Sequence, residues 1–230
     1  MSQPTRHEIV AATFDSWAEA GRAAGMERGH SDVVVQVIER MEVRPGQRIL
    51  DLGCGSGWST RLLAQAAPGA TAVGIDVSPA MIARAEAAHS NTIRARYDLG
   101  SFEKLEFRDL SFDRAFSMEA LYYAVDLDRA LTEVARVLKP GGRVDFVLDF
   151  YRESPRTAQW AELVGLPMHY LAIDEWCARL ARAGFPGARA ERVVDRRGPA
   201  RGSPDPSGDP HLSEELHRAG SLWLCANKPA

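Results

Sequence analysis

Short apolar runs alternate along the chain with stretches whose apolar positions recur every third or fourth residue, the contrast that separates buried strands from amphipathic helices. Residues 48–52 (RILDL), 71–76 (TAVGID), 112–117 (FDRAFS) and 143–150 (RVDFVLDF) read as strands, and their mostly apolar character suits a parallel sheet covered on both faces. Helical periodicity fills 58–67, 79–89 and 126–138. Ser78-Pro79 opens the second of these as an N-cap followed by proline at the first helical position, and Lys139-Pro140-Gly141-Gly142 stops the third. Two further helices, 5–24 and 30–42, precede the first strand, with Phe14, Trp17, Val33, Val34 and Val37 as apolar faces. Beyond 150 the pattern predicts a helix at 174–183 N-capped by Asp174, then strands at 187–194 and 221–227. Without a full crossover helix between them, the last two strands form an antiparallel hairpin at one edge. Strand and helix in alternation predict an α/β, doubly wound sheet that binds ligands at the carboxyl ends of its strands.

Composition narrows this picture. A 230-residue chain with 45% hydrophobic and 26% charged residues has material for one full core, and we read 1–230 as a single domain. A net charge of −3 gives no overall attraction to nucleic acid or an anionic membrane. The three cysteines, Cys54, Cys177 and Cys225, are scattered and odd in number, so neither a disulfide framework nor a zinc site is expected, and reduced thiols fit a cytoplasmic protein. MSQPTRHEIV lacks the apolar core of a signal peptide, and no window of about 18 apolar residues is present to span a bilayer. The connection at 196–210, rich in Gly, Pro and charge, reads as a mobile surface loop, with an active-site lid as the alternative.

The chemistry concentrates where the first strand ends. Gly53, Gly55 and Gly57 follow Asp51 in RILDLGCGSGW, and three glycines so spaced suggest a backbone approached closely by a ligand. The dinucleotide fingerprint Gly-x-Gly-x-x-Gly/Ala fails in both frames, landing on Trp58 and Thr60. With Asp51 included, Asp51-Leu52-Gly53-Cys54-Gly55-Ser56-Gly57 resembles the Asp/Glu-x-Gly-x-Gly-x-Gly motif of class I S-adenosylmethionine-dependent methyltransferases. Three more stretches match that family in order. Asp76 ends the next strand in VGIDVSPAMI, GSFEKLEFRDLSFDRAFS follows, and Arg136 to Gly142 (RVLKPGG) stands before the fifth strand. The resemblance covers about 45–150 and is nearest to the small-molecule branch that includes ubiquinone, menaquinone, glycine and sarcosine methyltransferases.

That resemblance implies a Rossmann-like sheet of seven strands, mostly parallel with an antiparallel C-terminal strand, helices on both faces, and S-adenosyl-L-methionine as cofactor. It divides the chain into an N-terminal helical cap (1–44), a cofactor-binding core (45–150) and an acceptor-side region (151–230). Asp76 then takes the ribose hydroxyls as a charged acceptor, with Val77 and Met81 near adenine. Ser101 stands where the family has an aspartate for the adenine amino group; its hydroxyl can accept one hydrogen bond while Phe102 supplies an amide and a stacking face. Asp51, Gly53, Cys54, Gly55, Gly57, Ser117 and Trp17 complete the expected cofactor set.

A methylated sulfonium is already activated, so the protein's task is in-line positioning of a nucleophile and removal of any proton it carries. His169 is the first candidate for general base because an imidazole titrates near neutrality, with Glu119 and Tyr122 beside it as catalytic candidates. Met118, Tyr123, Asp149, Phe150, Tyr151, Met26, His30 and Tyr170 are further acceptor-side candidates, any of which can instead simply pack. The sequence after the fourth strand, Ser117-Met118-Glu119-Ala120, has neither the Pro-Pro run of base-amine methylation nor a Pro-Cys pair for pyrimidine C5, so a small molecule is favoured over nucleic acid. Asp149 and Asp174 alone assemble no metal site, and a monomer or homodimer is expected. The rivals are a protein or RNA methyltransferase, which a basic rim would support, and a module that binds the cofactor without transferring its methyl group.

Overall fold

The structure is a computed structural model that describes residues 3–154, 157–199 and 210–230. In chain order the elements are α1 (Arg6–Glu19), α2 (Ala23–Met41), β1 (Arg48–Leu52), α3 (Trp58–Gln65), β2 (Thr71–Asp76), α4 (Pro79–Ala87), β3 (Ala95–Leu99), β4 (Phe112–Met118), α5 (Leu127–Val137), β5 (Leu138–Leu148), α6 (Trp160–Val164), α7 (Ile173–Arg182), β6 (Arg189–Val193), α8 (Pro210–Ala219) and β7 (Ser221–Asn227). Short 3-10 turns add Leu121–Tyr123 and Thr157–Gln159. The sheet has seven strands in the order β3-β2-β1-β4-β5-β7-β6, parallel except for β7, which runs antiparallel to both neighbours. Chain order reverses beside β1, between β2 and β4, and an open doubly wound sheet leaves a crevice at such a switch point beyond the strand ends.

Local sequence explains most boundaries. Ser78 Oγ accepts from the Met81 amide and Pro79 fills the first helical position of α4. Asp126 caps α5 by accepting from Arg129 N. α1 starts in a capping box between Thr5 and Glu8 and ends before Gly21, whose positive φ of 73° turns the chain into α2. The expected helices 5–24 and 30–42 are therefore differently divided, and α2 begins well before residue 30.

Three other departures have physical causes. Lys139-Pro140-Gly141-Gly142 does stop the helix, but it belongs to β5, where a register shift opposite Phe112 and Arg114 absorbs the two glycines as a bulge. Asp174 lies inside the first turn of α7; the cap position is Ala172, whose amide donates to Glu175 at 2.8 Å. The hairpin of β6 and β7 forms as expected, with α8 inserted in its connection. β3, with alternating burial at the sheet edge, carries too little apolar signal to be read from its sequence. Of the loop expected at 196–210, residues 200–209 lie outside the described residues. No helix among the described residues is long and apolar enough to cross a membrane.

Both faces of the sheet are covered. One core gathers Leu50, Leu52, Phe112, Leu131, Val134, Phe146, Trp176 and Phe185 against α5 and α7; the other packs Val34, Val37, Met41, Ile49, Phe116 and Trp223 against α2 and α3. Across the crevice lies α1. Its Asp15 accepts from Ser78 Oγ at 2.5 Å and from Ala80 N at 3.0 Å, so it helps to cap α4, while His7 meets Glu103 at 3.1 Å.

Candidate functional site

The glycine turn divides its three residues between two duties. A Cβ on Gly53 would stand 2.2 Å from Ala120 Cβ, and one on Gly57 2.4 Å from the Tyr97 ring, so both are required by the protein's own packing as well as by positive φ. A Cβ on Gly55 would meet nothing within 4 Å, yet Gly55 lines a cavity, leaving open space for a bound molecule. Packing within the protein therefore accounts for the missing side chains at Gly53 and Gly57, while at Gly55 the space is open.

That cavity has an empty volume of about 960 Å³, its solvent-open mouth included, within the range of small-molecule sites. It lies between the turn, the ends of β2 and β4, and helices α1 and α2. Gly53, Cys54, Gly55, Asp76, Val77, Met81, Ser101, Phe102 and Trp17 of the expected set line it, as do Phe14, Glu103, Met118 and Tyr123. Asp76 is the charged group at its base. One carboxylate oxygen accepts from Gly55 N and the other from Ser78 N, each at 2.9 Å, and no cation pairs with it in the described bonds. Burial pushes its pKa up to about 6 against the amides of Ser78, Gly55 and Val77. Cys54 is buried and its thiol is pushed well above the usual range, which makes it an inert wall residue.

Asp51 and Ser117 fall outside the cavity. Asp51 is fully buried behind the turn, where one oxygen accepts from both Ser59 and Thr60 hydroxyls at 2.7 Å and ties β1 to the start of α3. Ser117 donates to Leu52 O at 2.9 Å and joins β4 to β1. Gly57 is likewise absent from the lining.

A second cavity adjoins the first, and Trp17, Met26, His30, Glu119 and Tyr123 line both. Tyr122, Asp149, Trp160, Val164, Val193 and Asp195 are among the other residues that line it, so its walls are largely apolar and aromatic. Edge-on contacts of Phe14 with Trp17 (5.2 Å) and Tyr123 (5.0 Å), and a tilted contact of Tyr123 with Tyr122 (4.6 Å), carry the aromatic wall from one cavity to the other.

At the junction three titratable groups meet. His30 Nδ1 donates to Met26 O at 2.8 Å, and Nε2 lies 3.3 Å from Asp149 Oδ2. Glu119 accepts from Tyr122 Oη at 2.7 Å with one oxygen and from the Asp149 amide with the other. Glu119 holds a left-handed backbone at φ 53°, a conformation that costs a non-glycine residue energy and that turns its carboxylate back over the sheet end. Burial, then the Asp149 charge, pushes Glu119 up to about 8, against His30 and Tyr122. Burial disfavours a charged His30, yet Asp149, Glu119 and the Met26 carbonyl outweigh it and raise the ring to about 9. Asp149 is also penalised by burial, but His30 holds it below the ordinary carboxylate range. Among the described residues this is the one cluster of three possible metal donors, with its ligand atoms within 4.8 Å of one another. Both Glu119 oxygens already accept hydrogen bonds, from Tyr122 Oη and the Asp149 amide, while the His30–Asp149 pair stays partly accessible to the second cavity.

His169 is not part of it. Its Nε2 donates to Ala124 O at 2.9 Å, its amide donates to Tyr122 O at 2.8 Å, and it lines neither cavity, so it braces the turn after β4. Burial lowers its pKa. Sequence reasoning missed Glu103, which is buried and accepts from Val125 N at 2.6 Å and Asp126 N at 3.2 Å. Its partners lie far along the chain from it, and the only local signal is an acidic residue directly after Phe102.

Comparison with known proteins gives the family. The family described as "Methyltransferase domain" matches residues 50–146. An uncharacterized methyltransferase of Synechocystis is 37% identical over 63% of this chain and 71% of its own. A malonyl-[acyl-carrier protein] O-methyltransferase of Erwinia billingiae is 35% identical over 63% of this chain and 55% of its own. The chain spans only 53% to 60% of the length of the first curated relatives it matches. A solved chain from the complex between the Haloferax volcanii Trm112 methyltransferase activator and a methyltransferase superposes with a TM-score of 0.86 at 32% identity, over 94% of this chain and 98% of that one. With the sheet order, the glycine turn and these likenesses together, the chain belongs to the class I S-adenosylmethionine-dependent methyltransferases.

Proposed function

We propose that this protein transfers a methyl group from S-adenosylmethionine to a small-molecule nucleophile, with the first cavity for the cofactor and the second for the acceptor. The observation that carries this reading is the shared wall. Two cavities that have Trp17, Met26, His30, Glu119 and Tyr123 in common offer a line along which two bound molecules face each other. The residues fit the cofactor. Asp76, buried and without a cationic partner, retains lone pairs for ribose hydroxyls; Val77, Met81 and Phe102 offer apolar faces to a purine; Gly55 leaves room for the amino-acid end. Bound there, S-adenosylmethionine supplies a methyl group on a positively charged sulfur. The π faces of Trp17 and Tyr123 favour a cation beside them. α1, held by Asp15 and His7, forms one wall of the crevice.

The apolar, aromatic second cavity favours a small acceptor over a nucleic acid, and the O-methyltransferase names among relatives point the same way. Asp51 and Ser117 act on this reading as supports of the turn, and His169 as a support of the loop that carries Tyr122. A soluble cytoplasmic enzyme remains our expectation. The test is calorimetric titration of the intact protein with S-adenosylmethionine and S-adenosylhomocysteine, followed by a panel of small hydroxy, amino and carboxylic acceptors with methyl-labelled cofactor. Micromolar binding and label in a small product support the proposal; folded protein that binds neither ligand, or label found only in added RNA or protein, refutes it.

A further inference from the structure

The junction network raises a question of proton inventory. Met26 O can only accept, so Nδ1 of His30 carries a hydrogen in any state, and the chemistry of the ring rests with Nε2. Nε2 lies against Asp149 Oδ2, where 19% of the His30 side chain and 24% of the Asp149 side chain remain accessible. Both line the second cavity, so a bound acceptor can reach the pair; His30 also lines the first. A neutral imidazole is a competent base and an imidazolium is not.

We propose that His30, braced between the Met26 carbonyl and the Asp149 carboxylate at the junction of the two cavities, carries a proton in the free protein, releases it when the cofactor's sulfonium arrives, and then accepts the acceptor's proton at Nε2. The inference rests on the cofactor reading above. In the transfer, the acceptor oxygen or nitrogen bonds to the methyl carbon as the carbon–sulfur bond breaks, the electron pair stays on sulfur, and the acceptor's proton passes to Nε2. Charge balances: one cation leaves as the sulfonium becomes a neutral thioether, and another appears as imidazolium beside Asp149. The acceptor is thereby a protic nucleophile, a hydroxyl or an amine.

The charges facing His30 make this exchange physically available. Asp149 at the end of β5 and Glu119 after β4 hold the ring charged, which is why it rests near a pKa of about 9. Tyr122 bonds to Glu119; Asp195 and His217 lie across the second cavity; Arg197 donates to Gly29 O and Ser31 Oγ on either side of His30 and binds Asp195. On its own helix Asp32 is engaged by Arg196. A unit positive charge about 6 Å away, at an effective dielectric of about 20, pulls an imidazolium down by roughly two pH units. That brings the ring from about 9 to about 7, so at pH 8 it passes from mostly protonated to mostly neutral. The same cation would also favour ionised Glu119, so the two sources of a released proton must be separated.

The experiment is isothermal titration of the full chain at pH 8 in buffers of differing ionisation enthalpy, with S-adenosylmethionine and with S-adenosylhomocysteine, for wild type, His30→Gln and Glu119→Gln. Expected is a release approaching one proton with the methylated cofactor and none with the demethylated one, retained in Glu119→Gln and lost in His30→Gln while that variant still binds both ligands. Equal release with both ligands overturns the inference. So does release that survives in His30→Gln and vanishes in Glu119→Gln, which assigns the proton to Glu119. Failure of either ligand to bind overturns the cofactor reading and this inference together. Wild-type NMR of Cε1-labelled histidine gives a check that does not depend on the variants folding: one of the six histidines should shift from imidazolium to neutral with the sulfonium ligand alone.

Discussion

Asp76 allows the cofactor site to be tested through a titration. Its pKa is pushed to about 6 from an ordinary 3.8, chiefly because burial penalises the carboxylate. A ligand that needs the ionised form as hydrogen-bond acceptor must first displace the proton, so the apparent Kd grows as 1 + 10^(6 − pH) and is about tenfold weaker at pH 5 than at pH 8. S-adenosylhomocysteine is the right probe, since its neutral sulfur leaves His30 undisturbed. Asp76→Asn removes the titration and the charge together. Charge-assisted hydrogen bonds to the ribose contribute about 1.5–3 kcal/mol, so affinity at pH 8 falls roughly 10- to 150-fold and becomes flat with pH. The amide also cannot accept from both Gly55 N and Ser78 N with two oxygens, so some stability is lost, and circular dichroism must show that the variant is folded. Calorimetry at pH 5, 6, 7 and 8 decides the matter. A wild-type affinity that does not change over this range, or a folded Asp76→Asn protein that binds within twofold of wild type, would refute the assignment of Asp76 to the ribose.

The two duties within the glycine turn are separable. Gly53→Ala drives a methyl group into Ala120 and should cost about 2 kcal/mol or more in urea unfolding, whereas Gly55→Ala meets no protein atom, loses only the backbone preference of about 1 kcal/mol, and weakens S-adenosylhomocysteine at least tenfold. Equal unfolding midpoints for the two variants would contradict this division. His169→Asn, which removes a bond to Ala124 O, should lower stability by about 1 kcal/mol while S-adenosylhomocysteine affinity stays within twofold; a large loss of binding with stability unchanged would restore His169 to the site.

Much of this architecture was legible because its signals are local. The run from Asp51 to Gly57, the Ser78-Pro79 start of α4 and the acidic end of β2 each follow from a few adjacent residues whose backbone demands leave little choice. The signal failed where position along the chain and position in space separate. Asp51 belongs to the motif that places the cofactor turn, yet its carboxylate is buried behind the turn and accepts from the hydroxyls of Ser59 and Thr60 at the start of α3, partners that the motif itself does not announce. His169 has the titration range of a base, but its ring is committed to a carbonyl on another loop, which its neighbours in sequence do not reveal. His30 and Asp149, two undistinguished members of a long candidate list, become a pair only when β5 ends opposite the middle of α2, more than a hundred residues earlier in the chain. Glu119 supplies the link between these scales. It occupies a left-handed backbone position that no sequence pattern announced, and its carboxylate joins the loop after β4, through Tyr122, to the end of β5, through the Asp149 amide. A residue held in an unfavourable conformation at the meeting point of two cavities marks where the fold has given up local stability to hold a buried carboxyl between the loop after β4 and the end of β5.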